Sequence, residues 1–305
     1  MIAEGSIARK RILLVANPTA GRGRGAGLKP IVDRLEGHGC SVTVYQTKAA
    51  GDAERFVREA GGAGFDAIAA AGGDGTINEV LNGLSAGGPP LAIIPLGTVN
   101  VLAKEIGLPQ SIDRIAETVA FGPSRPISVG DANGRRFAVM ASVGLDAEVV
   151  ENVNLDLKRH VGKWAYLYET ARQIAFSSPP PYRLRFDHEE QEAQGIIIAN
   201  GRFYGGRYVA APEANLENPS LEVCRLTRPG RWAAPGYLLS LCLGRLAERA
   251  DVRIDRATGL EITGPAGAPL QADGDVLCRL PAIIKVLPAA VDLVFPIGSN
   301  GRAGS

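Results

Sequence analysis

Four short apolar runs in the first third of the chain, each ended by turn-forming or polar residues and interleaved with helical patterns, limit the fold more than any other feature. They are Arg11–Ala16, Ser41–Tyr45, the segment around Phe65, Ala67 and Ile68, and Pro90–Pro95. The first is apolar without alternation, as in a strand covered on both faces, and Asn17-Pro18 ends it. Helical stretches are expected at Leu28–Leu35, about Asp52–Ala60, from about Thr76, and from about Val101 to Ile106. Strand and helix therefore alternate four times in about 110 residues, which predicts a parallel sheet with helices on both faces.

The third run leads into Ala69–Leu84, which turns through Gly72, Gly73, Asp74 and Gly75. Ile77, Val80, Leu81 and Leu84 then fall at i, i+3, i+4 and i+7, one buried helix face, with Asn78, Glu79 and Asn82 on the other. A strand that stops in glycines at a helix start leaves backbone N–H groups pointing above the sheet, a place for phosphate. The same glycines equally serve a tight turn through positive φ. Asp74 has three roles open to it: capping its own helix, holding a magnesium ion, or accepting a proton from an attacking hydroxyl.

Other polar segments share that position. Asn17-Pro18-Thr19-Ala20-Gly21-Arg22-Gly23-Arg24-Gly25 leaves the first strand, Thr47 follows the second, and Leu96-Gly97-Thr98-Val99-Asn100 follows the fourth. All lie at carboxyl ends of strands, the edge where open α/β sheets bind ligands. No Gly-x4-Gly-Lys-Ser/Thr occurs, and no Gly-x-Gly-x-x-Gly follows a strand.

From about Ser124 the pattern changes to successive short strands: 126–130, 136–141, 182–186, 195–200, 221–224 and 260–263. Helical interruptions are expected at about 162–175, which carries Trp164, Tyr166, Leu167 and Tyr168, and at about 234–247, which is strongly apolar. The expected organisation is an α/β domain over 1–124, rejoined by a late strand within 288–300, and an all-β sandwich over 125–287. The tail from Ile297 reads as disordered.

At a net charge of +1 the chain has no global field to recruit nucleic acid or an acidic membrane. Cys40, Cys224, Cys242 and Cys278 form no Cys-x-x-Cys pair and are expected as reduced thiols packed like small apolar groups. The first ten residues lack the features of a signal peptide, and no uncharged apolar run approaches the roughly 20 residues of a membrane helix, so a cytosolic protein is expected. His38, His160 and His188 are scattered, sit beside turn or charged residues, and belong to no hydrolase triad.

Taken together, Asn17–Gly21, Thr47, Gly72–Glu79, Pro95–Asn100, Gly144-Leu145-Asp146-Ala147, Asn200-Gly201 with Tyr204-Gly205-Gly206, and Asp273-Gly274-Asp275 resemble the diacylglycerol kinase catalytic family, the bacterial lipid kinases and their sphingosine-kinase relatives. The likeness covers nearly the whole chain. The Gly-Gly-Asp-Gly-Thr word is shared with NAD kinases, whereas the order and spacing of the whole set is that of the lipid kinases. The resemblance implies an ATP-dependent lipid kinase of phospholipid metabolism, with an NAD kinase-like nucleotide domain, a β-rich lipid-side domain and a reaction in the cleft between them. It implies that ATP is held by Asn17, Pro18, Thr19, Ala20 and Gly21, by Thr47, by Gly72, Gly73, Asp74, Gly75, Thr76, Asn78 and Glu79, and by Gly97, Thr98 and Asn100. It also implies magnesium with the nucleotide, a lipid substrate, no nucleic acid, and peripheral contact with a membrane. Asp275 falls on the family's usual proton acceptor in the bacterial enzymes, and Asp74 on the aspartate credited in the sphingosine-specific relatives; both assignments stay open. Arg22, Arg24 or Lys104 would add positive charge at the triphosphate.

Three positions depart from the family pattern. Asp275 replaces glutamate, Val101 stands where many members carry aspartate, and Asn215-Leu216-Glu217-Asn218-Pro219-Ser220 corresponds to an aspartate-rich magnesium site of the second domain, with Asn218 neutral. No protein-borne metal site is assigned. The oligomeric state is left open, a homodimer included. The competing readings are an NAD kinase-like nucleotide kinase and a non-catalytic nucleotide-binding regulator.

Overall fold

The computed structural model describes residues 8–20, 28–61, 64–152, 181–186, 189–230 and 232–298. The chain divides into two compact units, residues 1–127 with 289–305 and residues 128–288.

In the first unit, β1 (Arg11–Ala16), β2 (Ser41–Gln46), β3 (Ala67–Gly72) and β4 (Leu91–Pro95) pair in parallel in the order β2-β1-β3-β4. Because the chain builds β2 on one side of β1 and then returns to lay β3 on the other, the order reverses between β1 and β3. Helices α1 (Leu28–Gly37) and α5 (Ile112–Phe121) cover one face, sharing a buried cluster with Ile12, Leu14, Ala69, Ala71 and Ile94. The intervening Leu13, Val15, Ile68 and Ala70 are equally buried, which is why these runs show no alternation. Helices α2 (Asp52–Ala60) and α3 (Asp74–Gly83) pack together, and α3 lies against β3. Its Ile77, Val80, Leu81 and Leu84 are all buried, as the spacing requires. β2 is an edge strand and largely exposed.

After α4 (Val101–Glu105) and α5 the chain continues through β5 (Ser124–Ala132), β6 (Arg135–Phe137), β7 (Met140–Val143), α6 (Leu145–Asn152), β8 (Tyr182–Phe186), β9 (Glu189–Ala193) and β10 (Gly195–Ala199). There follow β11 (Phe203–Tyr204), β12 (Tyr208–Val209), β13 (Leu221–Leu226), α7 (Ala233–Cys242), β14 (Val252–Ala257), β15 (Gly259–Gly264), β16 (Pro269–Ala272), β17 (Asp275–Arg279) and β18 (Ala282–Val294). In the second unit β14-β13-β10-β7-β16-β17 form a six-stranded antiparallel sheet. A second antiparallel set runs from the first half of β18 through β15 and β8 to β9. Tyr182 and Leu184 of β8 and Ala282 and Ile284 of β18 share one buried cluster with Ile196 and Ile198 of β10 and Leu221 and Val223 of β13. Two sheets closed on a common core make this unit a sandwich.

Several local expectations need correction. Residues 136–141 are two strands, β6 and β7, parted at Ala138 and Val139. The late strand begins at Ala282, and its Leu293 pairs in parallel with Leu91 of the first unit's sheet. α5, α6, β9, β14, β16 and β17 have no counterpart in the sequence reading. The apolar helix expected at 234–247 is α7, followed by a short 3-10 turn at Leu246–Glu248. Cys40 and Cys224 are buried and Cys278 half-buried, but Cys242 is exposed. His38 is at the surface. The helix expected at 162–175, His160, His188, and the tail from residue 299 lie outside the described residues.

Gly83 tests how closely α2 and α3 approach. A Cβ there would sit 2.6 Å from the Glu54 carbonyl oxygen and 2.8 Å from Val57 Cβ, whereas one at Gly37 would meet nothing within 4 Å. Gly83→Ala is expected to lower stability by about 1–3 kcal/mol, and Gly37→Ala to raise it by about 0.4–1 kcal/mol, in urea unfolding.

Candidate active site

The four parallel strands end level. Ala16 is opposite Gln46 on one side and Ala71 on the other, and Gly72 is opposite Pro95. Three of the loops begin by donating amides to carbonyls at the end of a neighbouring strand: Thr47 to Ala16 (2.9 Å), Asn17 to Ala71 (3.0 Å), and Leu96 and Gly97 both to Gly72 (2.9 and 3.1 Å). The segments at Asn17, Thr47, Asp74 and Thr98 consequently leave the same edge of one sheet.

The third loop is shorter than expected. α3 starts at Asp74 rather than Thr76, with Gly73 as its N-cap in an extended conformation. Asp74 does not cap its own helix. Its Oδ2 accepts from the Asn100 amide (3.0 Å) and its Oδ1 from the Val101 amide (2.6 Å), so this carboxylate closes the start of α4. Asn100 takes the left-handed conformation (φ 50°), is buried, and donates its side-chain amide to the Gly97 carbonyl (2.7 Å). Its Oδ1 is buried with no hydrogen-bond partner. Between these turns the backbones nearly touch: a Cβ on Gly97 would lie 2.5 Å from Gly73 Cα, and one on Gly72 would lie 2.4 Å from Thr76 Oγ1. Only glycine fits, and the result is a cradle of main chain at a helix start, where amides favour phosphate oxygens.

The remaining predicted nucleotide residues have varied surroundings. Asn17 Oδ1 accepts from the Thr19 amide (2.9 Å) and hydroxyl (2.8 Å), folding Pro18–Ala20 into an Asx turn. Thr98 is exposed, as are Pro18 and Thr19. Gly75 and Thr76 supply amides in the first turn of α3, where no helical carbonyl precedes them. Asn78 accepts from Asn82 on the same helix. Glu79 faces α2, and its two oxygens accept from the amides of Gly51 (2.9 Å) and Ala53 (3.1 Å), fixing the end of the loop that holds Thr47. Asp52 braces the same loop through the Lys48 and Ala49 amides, and those bonds hold its carboxyl below its usual range. Gly21, Arg22 and Arg24 lie outside the described residues.

In the second unit the other motifs meet one another. β16 and β17 are joined by a two-residue turn, Asp273 (φ 50°) and Gly274 (φ 96°), with Ala272 opposite Asp275, as a type I′ hairpin demands. Asp273 turns inward and accepts from the amides of Ala138 (2.7 Å), Val139 (3.0 Å) and Met140 (3.2 Å). Asn200, wholly buried, holds the same segment from its other side, donating to the carbonyls of Ala138 (2.6 Å) and Ser128 (2.8 Å). Asp275, the first residue of β17, is exposed.

Behind the hairpin Asp146 of α6 accepts from the Ser142 hydroxyl, from Tyr204 Oη (2.5 Å) and from Gln271 Nε2 (3.3 Å). Gln271 Oε1 accepts from the Gly274 amide (3.2 Å), so α6 is tied to the turn that carries Asp275. Burial, then the neighbouring Asp146 carboxylate, push the Tyr204 phenol well above its usual pKa, and it stays a donor. Ser142 and Gln271 were missed in the sequence reading; the readable signal was a polar residue interrupting an otherwise apolar strand. Asn215 Oδ1 accepts from the Glu217 amide (3.0 Å) in a local turn. Among the described residues no group of three or more His, Cys, Asp or Glu side chains is placed to hold a metal.

A parallel sheet with a glycine cradle on its carboxyl edge, followed by a β-sandwich bearing an exposed carboxylate on a hairpin, defines a two-unit phosphotransferase. The diacylglycerol kinase catalytic domain model matches residues 11–132, and the YegS C-terminal NAD kinase beta sandwich-like domain model matches residues 139–295. The chain belongs to the diacylglycerol kinase catalytic-domain family. It is 33% identical over 225 residues to a diacylglycerol kinase of Bacillus subtilis, covering 72% of this chain and 74% of that one. It is also 33% identical to a Pseudomonas putida protein named a probable lipid kinase, YegS-like, covering 89% of this chain and 91% of that one. A crystal structure of a diacylglycerol kinase from Bacillus anthracis superposes with a TM-score of 0.78 at 26% identity, covering 95% of this chain and 98% of that one.

Asp273 and Gly97 separate support from binding. Asp273→Ala strands three backbone donors and is expected to cost about 2–4 kcal/mol in urea unfolding. Gly97→Ala is expected to weaken ATP binding by on the order of tenfold or more in calorimetric titration, with the far-ultraviolet circular dichroism unchanged.

Proposed function

We propose that this chain transfers the γ-phosphoryl group of ATP to the hydroxyl of a diacylglycerol-like lipid. The observation that carries this reading is the glycine cradle at Gly72, Gly73 and Gly97, set at a helix start and closed from behind by Asp74. Its place in the family fixes the class of chemistry, a phosphotransferase with an alcohol acceptor. Phosphoryl transfer asks a protein mainly to position the reactants and to neutralise charge.

In this reading the amides of the cradle and of Gly75 and Thr76 hold the phosphates, with the Asn17–Ala20 and Thr47 segments flanking them along the same edge. Magnesium carried with the nucleotide would supply charge neutralisation there. Asp74 acts as a clamp: both its oxygens are engaged by amides of the next loop, so it fixes the cradle's shape. Asp275 is the proton acceptor, and Gln271 holds the turn beside it. Glu79 positions the Thr47 loop from behind. The reaction runs at the cytoplasmic face of a membrane, to which the chain binds peripherally; no helix among the described residues is long and apolar enough to cross one.

Incubation with labelled ATP, magnesium and diacylglycerol-containing vesicles, beside a tube with NAD and no lipid, tests the reading. Organic-soluble label is expected from the unaltered protein, about 10²–10⁴-fold less from Asp275→Asn, and substantial activity from Asp275→Glu. Label transferred only to NAD would make this a nucleotide kinase, and ATP binding without any product would make it a regulator.

A further inference from the structure

The helix α7 is apolar where it should be polar. On a helix lying against a sandwich, one stripe faces the core and the opposite face is ordinarily charged. Here the inward stripe is Ala233, Tyr237 and Leu241, all buried. The outward face carries Trp232, Leu238, Leu239 and Leu243, exposed by 76%, 44%, 61% and 63%, with Pro235 and Cys242 between them. These positions are separated by three, four and seven residues, so they form a single stripe. β12 packs beside α7, and its Tyr208 is also exposed. Five of the eight exposed large apolar side chains among the described residues thus gather at one helix and its neighbour. Such a patch marks an interaction surface.

We propose that the outer face of α7 is the surface by which this protein docks on an anionic phospholipid bilayer. The charges around it point to that occupant. Among the described residues from Thr227 to Ala247 the charged ones are Arg228 and Arg245 and none is acidic, although the whole chain is nearly neutral at +1. Arg228 is exposed at one end of the helix, and Arg245 lies just past the other. Arg245 pairs with Glu248 at 2.7 Å, but both side chains are more than half exposed and the pair is weak in water. Apolar side chains flanked by arginines, with a tryptophan at the helix start, suit the boundary between headgroups and acyl chains. Dissolved diacylglycerol would demand no such face, whereas an acceptor confined to a bilayer would. The inference rests on the lipid-kinase reading for its purpose, but its test does not depend on phosphorylation.

The full chain is sedimented with vesicles of phosphatidylcholine alone or with phosphatidylglycerol, at low and at high salt. Tighter binding to the anionic vesicles, weakened by salt, is expected. The variant Trp232→Gln/Leu239→Gln/Leu243→Gln, which alters only exposed side chains and is expected to keep its melting temperature, should lose at least about 10-fold in partitioning. Its activity on a short-chain diacylglycerol dissolved in buffer should match that of the unaltered protein. Equal sedimentation of the two proteins, or no sedimentation of either, would overturn the docking surface whatever the kinase assay shows. So would a fall in solution mass from dimer to monomer on substitution, which would assign the face to a second copy of this chain. Absence of lipid phosphorylation with vesicle binding intact would instead sink the lipid-kinase reading alone.

Discussion

The bidentate grip of Asp74 on the amides of Asn100 and Val101 is the interaction on which the loop edge of the first unit depends. It reaches from the loop after β3 to the loop after β4, and it answers the double donation of Leu96 and Gly97 to the Gly72 carbonyl. A carboxylate accepting two amides makes charge-assisted bonds, stronger than the neutral bonds of the ladder beside it. Two adjacent turns are thereby held as one surface. The cost of the arrangement is local: Asn100 is in the left-handed region, and its Oδ1 is buried without a partner. That cost is tolerable for asparagine and would be severe for a β-branched residue.

The second unit repeats the device with different parts. Asp273 binds three successive amides, Asn200 binds the same segment's carbonyls, and Asp146 collects three side-chain donors behind them. Buried polar groups are costly unless partnered, and Asn200 Oδ1 is buried without a partner, so this network fixes one geometry of the hairpin rather than adding much net stability. In both units the aspartates engaged by backbone hold loops in place, and Asp275, to which the proposed reading gives the proton, is left exposed.

Much of this was legible because it rests on spacing. The four strands and the buried face of α3 follow from periodicities. The roles of Asp74 and Glu79 were not legible, because each binds amides that are 20 or more residues distant in sequence and fixed only by tertiary packing. α5 escaped notice although Ser111 caps it and Ile115, Ala116 and Val119 form its buried stripe. β14, β16 and β17 are short or mixed in polarity, and the partners that tie β14 to β13 and β16 to β7 lie far along the chain. In α7 the periodicity was present but blind: a helix apolar on every side looks the same in sequence whether its outer face is covered or bare.

The aspartate at position 275 illustrates how a small departure is absorbed. A carboxylate one methylene shorter than glutamate reaches about 1.5 Å less far, and a misplacement near 1 Å at a reacting group can cost on the order of 10²-fold in rate. The backbone that carries Asp275 is therefore held on three sides: by the type I′ turn, by the Asp273 latch on 138–140, and by Gln271, which binds the turn's own amide. A shorter arm on a stiffer mount can serve where a longer arm on a looser one would also serve. In the reading proposed above, the rigidity of the hairpin, rather than the identity of the acid, sets how well the acceptor hydroxyl would be deprotonated.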